Sequence, residues 1–152
     1  MESTTSIVMG SDHAGYALKE FIRQYLTDSN FEVKDCGTFS EDSVDYSDFG
    51  IAVAAKVAAG DFNRGILICG TGLGMSMVAN RFKDVRAALC NNLFSAIMSR
   101  RHNDANLLVL GGRVIGTELA KEIVRVWLET PFEGGRHKKR IEKFDTIKTD
   151  AV

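Results

Sequence analysis

Two periods of apolar residues alternate along this chain. Short runs at 6–10 (SIVMG), 32–36 (EVKDC), 65–69 (GILIC), 86–90 (RAALC) and 107–110 (LLVL) predict strands, and 65–69, ended by Gly70, is the clearest of them. Between the runs the spacing turns helical. Leu18, Phe21, Ile22, Tyr25 and Leu26 mark one amphipathic stretch, and Asp48 to Ala59, Gly74 to Phe82, 93–101 and 115–129 mark four more. Strand–helix units in succession predict a parallel sheet, because right-handed crossovers return each helix to a face of the sheet. The expected fold class is α/β: a doubly wound, Rossmann-like, three-layer α/β/α sandwich around a five-stranded parallel sheet.

The sole proline, Pro131, follows the last long helix, and Gly134 and Gly135 then break the chain. Residues 136–148 are expected as an appended basic C-terminal helix and 1–5 as a flexible tail, on one domain spanning 1–152. That length falls within the roughly 100–200 residues of a single domain.

Composition narrows the class. Hydrophobic residues make up 45% of the chain and charged residues 26%, which excludes disordered and fibrous proteins. A formal charge of -1 gives no global attraction for nucleic acid or acidic lipid, so any anion site has to be local. No run reaches the ~18 apolar residues of a membrane helix, and the opening MESTTS has neither the basic nor the apolar region of a signal peptide. Cys36, Cys69 and Cys90 cannot pair completely and include no CxxC, which fits a reducing compartment. The expectation is a cytoplasmic protein with no nucleic-acid and no membrane partner. Cys36 and Cys90 read as small buried residues near strand ends.

Ligands of open parallel sheets bind outside the carboxyl ends of the strands. The loops there hold SDHAG (11–15), CGTGLG (69–74), CNN (90–92) and GGR (111–113). Gly70, Gly72 and Gly74 sit where a strand turns into a helix, so several backbone N–H groups can converge on an anion; a tight packing turn explains them as well. The loop is neither a full GxGxxG fingerprint nor a Walker A loop. Cys69 starts it, near the positive end of the next helix, where a thiolate base or nucleophile is favoured; a buried structural cysteine fits equally. Thr71 offers a hydroxyl at the same mouth or a helix cap.

Asp12 and His13 follow the first strand, and His102 and Asn103 precede the fifth. Imidazole titrates near neutrality and suits proton transfer to an oxygen, although a loop histidine is commonly only solvated. No HxH, HxxxH or HExxH spacing is present, so metal binding is the weaker reading. In the basic tail, Arg136 and Arg140 share a helix face and make a natural pair for a phosphate, where many charge runs are merely solvated. No interleaved aromatics supply a nucleic-acid platform.

Taken together, SDHAG, VDYSDFG (44–50), GILICGTGLGMSMVANRF (65–82), RHNDANLLVLGGRV (101–114) and EGGRHKKRI resemble, in order and over nearly the whole chain, the B-type ribose-5-phosphate isomerase family, whose relatives act on allose and galactose 6-phosphates. The resemblance implies an aldose–ketose isomerase of the non-oxidative pentose phosphate pathway that works through an enediolate without cofactor or metal. It implies Cys69 as the base, with Gly70 to Gly74 and Thr71 holding the developing oxyanion. His102 would open the furanose ring, Asp12 and Asn103 would hold sugar hydroxyls, and Tyr46 would line the pocket. His13, Arg113, Arg136 and Arg140 would grip the phosphate. Some relatives lack the cysteine and use a glutamate a few residues later; Met77, Val78 and Ala79 offer none here. The resemblance also implies a homodimer, or a dimer of dimers, with composite active sites. The alternatives are a six-carbon sugar-phosphate isomerase and a non-catalytic sugar-phosphate-binding module.

Overall fold

The computed structural model describes residues 5–147. Among them the elements run β1 (Ser6–Ser11), α1 (Tyr16–Asp28), β2 (Glu32–Asp35), α2 (Tyr46–Ala58), β3 (Gly65–Cys69), α3 (Leu73–Ala79), β4 (Ala87–Leu89), α4 (Leu93–Arg101), β5 (Leu107–Gly111), α5 (Thr117–Glu129) and α6 (Arg136–Ile141). The strands form one parallel sheet in the order β2-β1-β3-β5-β4. The expected α/β sandwich is present.

Strand alternation divides the core in two. Ile7, Met9, Ile66, Ile68, Leu108 and Leu110 face Leu18, Ile22 and Leu26 of α1 and Ile123, Val124 and Trp127 of α5. Val8, Leu67, Cys69, Leu107 and Val109 face Val53 and Val57 of α2 and Met75 and Ala79 of α3. Covering on both faces is why β3 and β5 read as unbroken apolar runs, whereas β2 at one edge alternates exposed with half-buried positions. Each fully buried aliphatic side chain contributes about 1.5–3 kcal/mol relative to exposure. Sequence spacing cannot distinguish the sheet's order from a simple succession.

Element ends move by one to three residues from the periodicity, and side-chain hydrogen bonds account for two of the shifts. The helix expected to reach Phe82 stops at Ala79 because Asn80 turns its amide onto β4, donating to Ala87 O (3.0 Å) and accepting from Ala87 N (2.8 Å). Arg86, expected in β4, instead gives its backbone N–H to Asn106 Oδ1 (2.8 Å) and its Nε–H to Asp104 O (2.9 Å).

The basic helix expected over 136–148 is corrected. It ends at Ile141, and a 3-10 turn follows at Phe144–Thr146. Four cations crowd its six residues and only His137 is buried, so neither charge pairing nor an apolar face extends it. Only position 148 of that segment, and positions 1–4 of the expected tail at 1–5, lie outside the described residues. No described helix is long and apolar enough to cross a membrane.

The topology positions the site. The chain leaves β1 for β2 on one side and then crosses to β3 on the other, so the switch point lies between β1 and β3. With β5 inserted beside β3, the loops after β1, β3 and β5 become neighbours.

Candidate active site

Those three loops build a cleft of about 380 Å3 lined by Asp12, His13, Ala14, Tyr46, Cys69, Gly70, Thr71, Gly74, Met77 and Arg113. Cys69 ends β3, where pairing with Gly111 of β5 fixes its backbone. Its side chain is 5% exposed, and Sγ accepts a hydrogen bond from Gly72 N–H at 3.2 Å. Gly72 turns that N–H inward with φ +81°, a left-handed conformation that a side chain would strain. A Cβ on Gly74 would meet the Tyr46 ring at 2.5 Å, so this glycine lets α2 close on the loop. Gly70 differs, since a Cβ there meets only ordinary contacts at 3.6 Å.

Polar groups around the sulfur are held from behind. Asp12, 7% exposed, accepts Gly15 N–H on Oδ1 at 3.0 Å. His13 Nδ1 accepts Val44 N–H at 3.1 Å, which fixes the tautomer with its proton on Nε2. Thr71 Oγ1 accepts Leu73 N–H at 3.2 Å in the turn before α3, whose N-cap is Gly72 and not Thr71, and the hydroxyl proton stays available to a ligand. Arg113 is anchored by its backbone N–H on Gly70 O (2.9 Å) and has no carboxylate partner among the described residues. Donors, one buried carboxylate and a sulfur thus converge on a space that fits a small, hydroxyl-rich anion.

The other two cysteines are unlike Cys69. Burial pushes the Cys90 thiol up to about 11, and burial also raises that of Cys36.

The remaining expected residues do not reach this cleft. His102 caps the carboxyl end of α4 and Asn103 follows it. Because α4 runs back against the strands, that end lies beside the strands' amino-terminal edge, opposite Cys69. Arg136 and Arg140 on α6 belong to the same end: the His137 ring stacks on His102 with centroids 4.3 Å apart and planes 11° from parallel. A cavity of about 630 Å3 also lies at the amino-terminal end of the sheet, lined by Thr5, Arg64, Arg86 and Asn106 among others, away from the cysteine.

Sequence reasoning does not single out three residues that the structure brings forward. Met77 walls the cleft and is 65% exposed; its i,i+4 spacing from Leu73, 52% exposed, was the available signal. Glu133 and His137 surround His102, with Glu133 Oε1 3.8 Å from His102 Nε2. The separation of 31 positions between His102 and Glu133 hides that meeting from any motif.

Comparison with known proteins fits this geometry. Residues 7–144 match the model of the Ribose/Galactose Isomerase family. Ribose-5-phosphate isomerase B of Escherichia coli is 48% identical over 141 residues, covering 93% of this chain and 95% of that protein. A D-erythrulose-4-phosphate isomerase of Pectobacterium atrosepticum is 42% identical over 142 residues, covering 91% of each. The crystal structure of a ribose 5-phosphate isomerase from Thermotoga maritima superposes with a TM-score of 0.93 at 50% identity, over 95% of this chain and all of that one. The chain belongs to the ribose/galactose isomerase family.

Proposed function

We propose that this protein is a cytoplasmic aldose–ketose isomerase that interconverts ribose 5-phosphate and ribulose 5-phosphate, as in the non-oxidative pentose phosphate pathway, from composite sites in a homodimer. The observation that carries the reading is the Cys69 sulfur, held by the Gly72 N–H inside a cleft that His13 and Arg113 also line.

As thiolate, Cys69 removes the proton from C2 of the open-chain aldose. The C–H electron pair becomes the C1–C2 double bond, and the carbonyl pair moves onto O1. The N–H groups of the 70–74 loop and the Thr71 hydroxyl stabilise the resulting enediolate oxyanion. The O2 proton passes to O1, the thiol returns its proton to C1, and the C2 carbonyl of the ketose forms. Asp12 accepts from a sugar hydroxyl, and His13 offers Nε2–H and Arg113 its guanidinium to the phosphate. Binding the phosphate away from the reacting carbons holds the open chain in a reactive geometry.

Within the cleft of one chain His13 and Asp12 are taken up by the phosphate and a sugar hydroxyl, so ring opening falls to a further proton-transfer group. His102 supplies that group, and Asn103, Arg136 and Arg140 further ligands, from a second copy, because the end of α4 and the adjoining α6 lie at the far end of their own sheet. Exposed Ile51, Leu73, Met77 and Phe94 give a second copy an apolar surface near the cleft.

The deciding experiment follows ribulose 5-phosphate formation from ribose 5-phosphate by wild type and Cys69→Ala. Wild type should turn over, and the variant should fall ~10²–10⁴-fold while staying folded. Binding without turnover would indicate a sugar-phosphate-binding module. D-erythrulose 4-phosphate, allose 6-phosphate and galactose 6-phosphate serve as competing substrates, and a higher kcat/KM on one of them would move the assignment within the family.

A further inference from the structure

Away from the cleft, His102, Glu133 and His137 form a cluster in which the candidate ligand atoms all lie within 4.8 Å of one another. Two tied backbone segments carry it: Glu133 N–H bonds Arg101 O at 3.1 Å, fastening the segment before α6 to the end of α4, and His137 N–H bonds Gly134 O at 3.1 Å. His137 is buried, whereas His102 and Glu133 have side chains 43% and 46% exposed. An ion can therefore enter from solvent against one fixed ligand and two adjustable ones.

We propose that His102, Glu133 and His137 bind a divalent transition-metal ion of the zinc type, and that the bound ion switches isomerisation off by taking His102 out of service. The inhibitory half rests on the isomerase reading above; the site itself does not.

The donor set selects the ion. Two imidazoles and one carboxylate with an open fourth position suit zinc, whereas magnesium and calcium prefer all-oxygen shells. The His137 ring is buried and stacked on His102, so one imidazole is held in place at the site before an ion arrives. Arg136 and Arg140 also face it and weaken any cation, which favours an ion bonded strongly to imidazole nitrogen over a hard one. Bonds of about 2.0–2.1 Å in a tetrahedral shell put ligand atoms roughly 3.3 Å apart, so the cluster has to contract. Stacked parallel rings cannot both aim at one ion, so the exposed His102 ring turns away from its stacked position. Ion binding and loss of the free His102 imidazole are thereby one event.

The test uses the full-length protein after chelator treatment. Cys69→Ser protein, which lacks the competing active-site thiol, is titrated with Co²⁺ while the visible d–d absorption is followed, and Zn²⁺ is then used to displace the cobalt. One ion per chain is expected, without a sulfur charge-transfer band, and lost in Glu133→Gln and in His137→Gln. In parallel, Zn²⁺ should inhibit wild type reversibly by chelator. Either substitution should raise the inhibitory concentration by roughly tenfold or more, since one of three ligand bonds is gone. Glu133 is half exposed, so Glu133→Gln serves where His137→Gln fails to fold. No cobalt binding, a sulfur band, or equal zinc sensitivity in both variants and wild type would overturn the proposal. A protein without isomerase activity would count against the assignment above and not against the site, which the cobalt titration decides alone.

Discussion

Mixing two inactive variants tests the shared site most directly. Cys69 and His102 lie at opposite ends of one sheet, and α4, with nine residues at about 1.5 Å per residue, accounts for some 13 Å of that separation by itself. If each site takes Cys69 from one copy and His102 from the other, Cys69→Ala and His102→Ala homodimers are both impaired, because every site in each lacks one group. Mild unfolding and refolding of an equal mixture gives one quarter of each homodimer and one half mixed dimers. In a mixed dimer one site collects both defects and the other has neither. Half the dimers then carry one good site of two, and the mixture regains about a quarter of wild-type activity. Differential tagging confirms the mixed species, and isomerisation is assayed with the closed-ring aldose, where loss of His102 is felt most. Verified mixed dimers with no regained activity would refute sharing of these two residues, and would leave His102 without a path to the cleft.

The thiols should alkylate in a fixed order. Cys69, the one cysteine in the cleft, reacts first and is protected by a sugar phosphate; Cys90, with its thiol at about 11, stays almost wholly protonated at pH 8, and Cys36 reacts more slowly than Cys69. Equal labelling of the three, read by mass spectrometry, would remove the reason for assigning Cys69 as base. Arg136→Ala and Arg140→Ala should each lower kcat/KM for the phosphorylated sugar strongly and leave the poor turnover of unphosphorylated ribose nearly unchanged; equal losses would mean a structural role for α6. Gly72→Ala forces a left-handed alanine, costing about 1–2 kcal/mol, and drives its Cβ to 2.4 Å from Leu89 Cδ1, so both the melting temperature and kcat should fall. An unchanged kcat would show that the Gly72 N–H does not matter to the sulfur.

The sheet was legible because both of its faces are covered. Runs such as Gly65–Cys69 and Leu107–Gly111 are apolar without interruption only when each alternate residue meets a helix, and that pattern survives in one dimension. The order β2-β1-β3-β5-β4 was not legible, since spacing says nothing about which strand lies beside which. Helix ends were set by single amides such as Asn80, whose partner Ala87 is seven residues away at the start of β4. Asp12, His13, Cys69, Thr71 and Arg113 could be anticipated as one site because parallel strands bring their carboxyl ends together, whereas Tyr46, at the start of α2, was expected only from the family resemblance.

His102, Asn103, Arg136 and Arg140 mark the limit of that rule. Each is polar, each sits in a motif that suggested chemistry, and none follows a strand's carboxyl end. A helix antiparallel to the sheet delivers its carboxyl terminus to the wrong edge for the cleft of its own chain, so these residues either serve something else or serve another copy. Stacking of His102 on His137, with Glu133 tied to Arg101, speaks for a use: an idle surface would not organise an imidazole pair beside a carboxylate. The proposed two-fold homodimer would turn the displacement into a solution, since a partner set antiparallel to this chain would present that edge to the open cleft. In the proposed homodimer the same symmetry would couple the two sites energetically, because whatever loosened the interface would remove the proposed ring-opening group and phosphate ligands together. Dilution below the dimer dissociation constant should therefore reduce kcat/KM far more steeply for ribose 5-phosphate than chain concentration alone requires. A specific activity independent of dilution, with monomer confirmed by light scattering, would show that one chain contains everything the reaction needs.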